Sequence, residues 1–510
     1  MKNVFCLRNP PINPLNGKAQ KLPIFNPIDK HGRVFFFAWA SFCKRLDWLL
    51  GCSFAAWYSF SPLAKSIRAT EGFTNVQWLN SNIVALLAGM CMRAVVGPCC
   101  DRYGPRKTMT CVLIAAAIPC GLAGLIKNYT GLLLIRFFVG IAGASFVPCL
   151  TWCTLFYDKG VVGTANGFAA GWGNAGAGVT YFMMPAVYDS LKGRGLSSSK
   201  AWRVSFVVPT VLLLLCAAGS FFLCEDTPTG KWEDRFTAPE SQTTITQHEP
   251  SEIEMSTDSI KEKSSHEKEE TQITVQALEA GHGETNMQPT LKMEEIKKPT
   301  CKGSLKALAC VQTLMLAAPY ACSFGGELAL NSVLGPWYQQ SLGWNQTKSG
   351  QVAAAFGLFN VISRPLGGVI ADWLYAYVSP QRGTKVKQLW YGLLVAAQGV
   401  MLIWTGLLNP RSPAVLVGGV MASALFMDAA NGAAYSLVPH VNPQFNGLLT
   451  GVVGATGNMG GVLFSVGYRF TDYHKGTWIL GVVAVAIGVG MTVVKPIPRK
   501  QLLAGGYMSQ

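Results

Sequence analysis

Charge is scarce in this chain. Only 14% of its 510 residues are Asp, Glu, Lys or Arg, where a soluble protein carries roughly 25%. That shortage excludes an ordinary water-soluble domain. Histidine is scarcer still, with 6 residues. His31, His248, His266, His282, His440 and His474 fall in loops, tails or helix ends of the hydropathy pattern, which argues against a histidine proton relay in the core. The strict apolar–polar alternation of a membrane β-barrel is missing. So is any metal or redox spacing of cysteines: Cys99 and Cys100 are adjacent, and Cys91, Cys111, Cys149 and Cys216 lie in apolar runs as small hydrophobes. No nucleophile–base constellation or nucleotide loop is present, so an enzyme is not expected and no cofactor is implied.

What is present is apolar length. Runs of about 20 residues or more recur, enough to cross roughly 30 Å of hydrocarbon as helices. The fold class expected is an all-α polytopic membrane protein of twelve transmembrane helices. The first six spans read as 34–61, 76–99, 108–126, 130–156, 163–190 and 203–224. The other six read as 304–334, 350–378, 388–408, 414–438, 447–471 and 477–495. The net charge of +15 could suggest nucleic acid, but the basic residues cluster where a membrane protein needs them on the cytoplasmic side. Lys18, Lys21, Lys30, Arg33, Lys44 and Arg45 precede or open the first span. Arg102, Arg106 and Lys107 follow the second, Arg382, Lys385 and Lys387 precede the ninth, and Arg499 and Lys500 follow the last. Both termini are therefore expected in the cytoplasm, with the first span acting as an uncleaved anchor.

Five segments follow: an N-terminal arm (1–33), a six-helix bundle (34–224), a linker (225–303), a second six-helix bundle (304–495) and a C-terminal tail (496–510). The linker is rich in Glu, Ser, Thr, Lys and Gln, cannot bury enough apolar surface to fold, and is expected to be disordered. Its Ser256, Thr257, Ser264 and Ser265 are candidate kinase targets, although a plain solvated tether explains the composition equally well. Six helices, a linker and six helices is the layout of a two-bundle secondary transporter with its site between the halves.

The halves repeat one spelling. Arg93-Ala-Val-Val-Gly97-Pro-Cys-Cys-Asp101 and Arg364-Pro-Leu-Gly-Gly368-Val-Ile-Ala-Asp372 share R-x-x-x-G-x-x-x-D, each in the second helix of its half. An arginine inside a membrane helix costs a few kcal/mol or more and marks a functional site. Eight residues are about 12 Å of helix. If both aspartates lie at the membrane surface, both guanidiniums lie near its middle. Their rigid forks suit a small planar oxyanion. With no carboxylate nearby on the arginine helices, the substrate itself is expected to be the counter-ion. A purely structural role, bonding carbonyls or distant acids, is the competing reading. Arg136, nearer the start of its helix, reads as snorkelled or structural.

The fifth helix of each half adds a second pairing, Gly171-Trp-Gly173-Asn174-Ala-Gly176 and Gly457-Asn458-Met-Gly460-Gly461. The glycines let helices approach closely. The two asparagines serve either packing or an anion. Asp47, Glu327 and Asp428, within or at the ends of spans, are candidates for carrying protons, with a structural hydrogen bond as the alternative for each.

Asp101-Arg102-Tyr103-Gly104-Pro105-Arg106-Lys107 resembles the signature between helices two and three of the major facilitator superfamily. The segments 170–178 and 451–461 are similar to the two signatures of its nitrate/nitrite porter family, and the long linker resembles that family's fungal branch. The resemblance implies two rocking six-helix bundles, working as a monomer in the plasma membrane and importing nitrate, and nitrite with it, by symport with protons. It implies that Arg93 and Arg364 grip the nitrate oxygens, that Asn174 and Asn458 add hydrogen bonds, and that Tyr320 supplies a hydroxyl. Phe146 and Phe324 become apolar walls, where periodicity alone makes them core residues. Asp101, Arg102, Arg106 and Asp372 become a latch for one state of the cycle. A porter for another small anion, an exchanger and a nitrate-sensing receptor stay open as alternatives.

Overall fold

The computed structural model describes residues 4–6, 10–13, 18–23, 48–228, 232–233, 300–344, 346–378, 380–408 and 412–498. Asp47, the linker serines and threonine, and the C-terminal tail beyond residue 498 lie outside the described residues. The first half contains α1 (Trp48–Tyr58), α2 (Ala64–Glu71), α3 (Asn75–Tyr103), α4 (Pro105–Gly121), α5 (Tyr129–Val139), α6 (Phe146–Phe156), α7 (Val162–Gly193), α8 (Ser198–Ser205) and α9 (Val207–Leu223). The second contains α10 (Cys301–Leu308), α11 (Val311–Leu342), α12 (Gln346–Leu358), α13 (Asn360–Tyr377), α14 (Pro380–Leu408), α15 (Pro413–Leu437), α16 (Asn446–Phe470) and α17 (Tyr473–Gly490).

Among the described residues, nine helices are long and apolar enough to cross a membrane, and ten if the pair Lys302–Leu308 and Val311–Leu342, bent by 56°, is one span. The remaining two spans are α1, described only from Trp48, and α7. At 32 residues α7 is long enough, but its glycines, threonines and asparagines dilute its hydropathy. Twelve spans result. Local sequence sets the ends. Thr74 and Gln77 cap α3 reciprocally, with N–H to oxygen distances of 3.0 and 3.2 Å. Gly104, at φ 88°, makes the tight turn into Pro105 at the first position of α4. The fourth span is not one α-helix. A 3-10 stretch, Gly140–Ser145, separates α5 from α6, and such a break changes where backbone carbonyls point.

The halves meet along two helix pairs, α3 against α16 and α7 against α13. Glycine makes both contacts possible. A Cβ at Gly97 would lie 2.7 Å from the Gly447 carbonyl oxygen, and one at Gly447 would lie 2.7 Å from the Gly97 carbonyl oxygen. Gly163 and Gly368 occupy the equivalent crossing in the other pair. Small residues at such crossings let backbones pack closely without any side-chain layer.

The N-terminal arm is not a bare charged tail. Phe5–Cys6 and Leu22–Pro23 pair as two short parallel strands. Ala19 bridges to Tyr157 in the connection between α6 and α7. Ala19 N–H donates to the Phe156 carbonyl at 2.9 Å, and Lys18 Nζ to the Thr154 carbonyl at 3.1 Å. Phe5 packs edge-on against Phe168 of α7, centroids 6.5 Å apart. Basic residues counted as surface charges in the sequence therefore include one, Lys18, that fastens the arm to the bundle.

Candidate functional site

Both arginines are fully buried, at 0% exposure, and both face the ring of Phe324. Arg93 of α3 has its guanidinium carbon 5.2 Å from that ring centroid, and Arg364 of α13 has its own 5.5 Å away. Arg93 also lies 5.0 Å from the Phe146 ring and 5.9 Å from Trp57. Cation–π attraction of this kind strengthens when water is excluded. Phe146 and Phe324 are stacked, centroids 6.5 Å apart and planes at 15°, and Tyr320 continues the stack 5.3 Å from Phe324. Tyr435 closes the group edge-on to Phe146 and to Tyr320, each at 5.2 Å. The whole aromatic group depends on Gly457, where a Cβ would meet Tyr320 and Phe324 ring atoms at 2.7 and 2.8 Å.

The partners of the two guanidiniums differ. Arg93 Nε donates to the Gly143 carbonyl and Nη1 to the Gly454 carbonyl, each at 2.9 Å. Gly143 belongs to the 3-10 stretch of the same half, and Gly454 to α16 of the other half. Arg364 Nη2 instead pairs with Glu327 Oε2 at 3.0 Å. Asn360 Nδ2 donates to Glu327 Oε1 at 2.8 Å and Asn431 Nδ2 to Oε2 at 2.9 Å. Asp428 Oδ2 accepts from Ser363 Oγ at 2.9 Å. The expectation that the substrate is the counter-ion of both arginines is therefore corrected for Arg364: its carboxylate comes from α11, a helix the argument from the arginine helices alone did not reach. Arg93 Nη2, Arg364 Nε and Arg364 Nη1 are buried with no hydrogen-bond partner among the described residues.

The asparagines sit apart from this network. Asn174 Nδ2 donates to the Ala170 carbonyl of its own helix at 3.1 Å. Asn458 Nδ2 reaches the Leu86 carbonyl across the interface at 3.4 Å, leaving its buried Oδ1 without a partner. Gly171 packs on α13, its Cβ position 2.8 Å from the Asn360 carbonyl oxygen, and Gly460 packs on the Ala321 backbone of α11. Gly173 and Gly176 are buried within α7. Arg136 is buried, hydrogen-bonds Asn82 and covers the Phe60 ring at 5.0 Å.

At one end of the molecule each aspartate of the repeat caps a helix of the opposite half. Asp101 accepts from the N–H groups of Gly447 and Leu448, both at 2.8 Å. Asp372 accepts from Gly163 N–H at 3.3 Å and from Thr164 N–H and Oγ1 at 2.6 and 2.8 Å. Helix N-termini favour such carboxylates through both donors and dipole. Asp372 also holds Lys387 Nζ at 2.8 Å, and both side chains are fully buried. Lys387, counted from the sequence as a loop charge, is an interior residue of α14. Arg102 and Arg106 stay within their own half. Arg102 is exposed and lies over the Tyr103 ring at 5.4 Å. Arg106 pairs with Asp226 at 3.4 Å, just beyond the sixth span. Burial pushes the Asp226 carboxyl up, and the Arg106 backbone N–H and guanidinium pull it back.

The sequence reading missed Trp57, Tyr435, Asn360, Asn431, Ser363 and Lys387. Asn360 lies four residues before Arg364, on the same helix face, which was a usable signal. Trp57 and Tyr435 had none beyond their apolar surroundings.

The sequence model of the Major Facilitator Superfamily matches residues 46–465. The chain is 30% identical to Elsinochrome transporter 1 of Elsinoe fawcettii, over 96% of this chain and 97% of that one. It is 27% identical to High-affinity nitrate transporter 2.3 of Oryza sativa subsp. japonica, over 92% and 78% of the two chains. In fold it is similar to the Major Facilitator Superfamily transporter FucP in the outward conformation, with a TM-score of 0.55, 13% identity, and 87% and 96% of the chains covered.

Proposed function

Since this chain belongs to the Major Facilitator Superfamily, and so is a multi-pass membrane transporter and not an enzyme, we propose that it imports nitrate, and nitrite with it. In this reading transport crosses the plasma membrane by alternating access, is coupled to protons, and is carried out by a monomer with both termini in the cytoplasm. The kinases that act on its linker would be its protein partners.

One observation carries the reading. Two guanidiniums lie over the Phe324 ring, and three of their buried nitrogens have no hydrogen-bond partner among the described residues. Buried polar groups are almost always satisfied, and a planar fork of charged donors is suited to an oxyanion. Arg93 and Arg364 share the centre with Glu327, ion-paired to Arg364, and Asp428, hydrogen-bonded to Ser363; with a proton on either acid the centre carries a net positive charge that attracts a monovalent anion. Relatives named as nitrate transporters, such as the rice protein, support the same cargo. The relative named for elsinochrome does not redirect it. In this chain Arg93, Arg364, Tyr320 and Phe324 are all at 0% exposure and Phe146 at 1%, a close-packed centre whose open donors fit a few oxygen atoms.

The membrane potential opposes anion entry by roughly 2.3 kcal/mol per 100 mV. Accumulation therefore needs more than one proton per nitrate, and Glu327 and Asp428 are the carriers proposed. Nitrate-evoked current in voltage-clamped cells, at acid and at neutral external pH, tests this. The expected result is an inward current that grows with acidity and disappears in Arg364→Ala. Labelled nitrate exchange without current would make the protein an exchanger, and absence of flux would favour a receptor or another anion.

A further inference from the structure

Glu327 occupies the position that an anion bound by Arg364 would claim. Its carboxylate takes three donors: Arg364 Nη2 at 3.0 Å, Asn360 Nδ2 at 2.8 Å and Asn431 Nδ2 at 2.9 Å. These donors come from α13 and α15, while Glu327 itself comes from α11. Among the described residues no equivalent anion holds Arg93, whose partners are neutral carbonyls. Resting on the nitrate reading, we infer that Glu327 is an internal anion that competes with nitrate for Arg364, and that a proton decides the competition.

The step balances in charge. A proton from the outer side adds to a Glu327 carboxylate oxygen, and the ion pair with Arg364 Nη2 breaks. Nitrate then accepts from Nη2 and from the Nε or Nη1 that had no partner. Arg364 exchanges one monovalent anion for another, so the site's net charge is unchanged when proton and nitrate enter together. On the inner side nitrate leaves, the proton leaves Glu327, and the carboxylate returns to Arg364. The empty carrier thus crosses the membrane with Arg364 paired. A buried arginine stripped of its partner costs several kcal/mol, so carriers holding neither ion pair nor nitrate are rare.

Asn360 and Asn431 position the competitor. Each donates one hydrogen bond to the carboxylate, and a carboxamide tolerates either protonation state of its neighbour because it both donates and accepts. Arg364 of α13 acts electrostatically on Glu327, and Glu327 in turn acts on Asp428 of α15, Tyr58 of α1 and Tyr320 of its own helix. Of these, Arg364 alone forms an ion pair with Glu327 among the described residues. Asp428 has its own hydrogen bond from Ser363, so a second proton there is a separate event.

The test is calorimetric nitrate binding to the full chain in lipid nanodiscs, in pairs of buffers with different ionisation enthalpies, so that proton uptake is read directly. The wild type takes up protons as nitrate binds, and Glu327→Gln takes up about one fewer per nitrate. Loss of that linkage also removes up to about a tenfold change in affinity per pH unit. Equal proton uptake in the two proteins overturns the inference while leaving the nitrate reading intact. No nitrate binding by the wild type at any pH overturns both. Infrared difference spectroscopy on the wild type and on Asp428→Asn keeps the question open to refutation should Glu327→Gln not fold. Nitrate must raise a protonated-carboxyl band in both, and a spectrum without it contradicts the competition.

Discussion

The two halves solve one problem differently. Each buries an arginine at the same point of the same nine-residue repeat. In the first half Arg93 is satisfied by two backbone carbonyls, Gly143 and Gly454, and by three aromatic rings. These acceptors are neutral, so among the described residues no carboxylate offsets the charge of Arg93. In the second half Arg364 is held by a carboxylate in a cradle of carboxamides. That partner is exchangeable. The comparison teaches that a sequence repeat can preserve the charge while dividing the labour: one arginine attracts, the other is regulated.

The division is open to attack at its strongest point first. Arg364→Ala strands the Glu327 carboxylate, and leaving one member of a buried pair alone costs about 3–5 kcal/mol. Arg93→Ala strands only carbonyls and costs about 1–3 kcal/mol. Thermal unfolding in detergent should show the larger loss for Arg364→Ala, and the double change Glu327→Gln with Arg364→Ala should recover part of it. Similar losses at the two arginines would erase the distinction.

The two aspartates of the repeat extend the test. Asp372→Asn leaves Lys387 buried without its carboxylate, at a cost of about 3–5 kcal/mol. Asp101→Asn keeps an oxygen acceptor and gives up only the charge on its hydrogen bonds from two N–H groups, about 1.5–3 kcal/mol in all. Cysteine labelling near the Asp101–Asp372 end should therefore rise more in Asp372→Asn. A smaller effect is expected at Gly457→Ala, about 1–3 kcal/mol from overpacking against Tyr320 and Phe324, with a fall in uptake at unchanged surface expression. The smallest belongs to Arg106→Ala, whose side chain is 33% exposed. Its pair with Asp226 stays within one half, and Asp226, itself 6% exposed, keeps the Arg106 backbone N–H as a donor at 2.9 Å, so the loss is about 1 kcal/mol and the unfolding temperature should fall slightly.

How much of this was legible depended on repetition. Arg93 and Arg364 were readable because a costly residue appeared twice in register, and Gly97, Gly368, Asp101 and Asp372 because the spelling around them repeated. The aspartates' partners were not readable. They are backbone N–H groups of helices more than 200 positions away in the chain, and a backbone donor has no sequence signature. The cradle of Glu327 was hidden for the opposite reason: Asn360, Asn431 and Glu327 have no counterpart in the first half, and a single polar residue in an apolar span does not say what it faces. Lys387 was misread because a lysine next to a loop is usually solvated, whereas here Asp372, the Ser436 carbonyl and the Lys159 carbonyl enclose it. Trp57 and Tyr435 were indistinguishable from core aromatics, and in packing terms that is what they are.

The central claim is that the arginine pair holds a small oxyanion through guanidinium geometry and not through charge alone. The most direct measurement is equilibrium binding of labelled nitrate to the purified full chain in nanodiscs, comparing the wild type with Arg93→Lys. Lysine keeps the charge but is a point donor without the planar fork. The account predicts saturable binding at about one nitrate per chain, as one shared centre requires, and its loss in Arg93→Lys. Wild-type affinity in Arg93→Lys would contradict it.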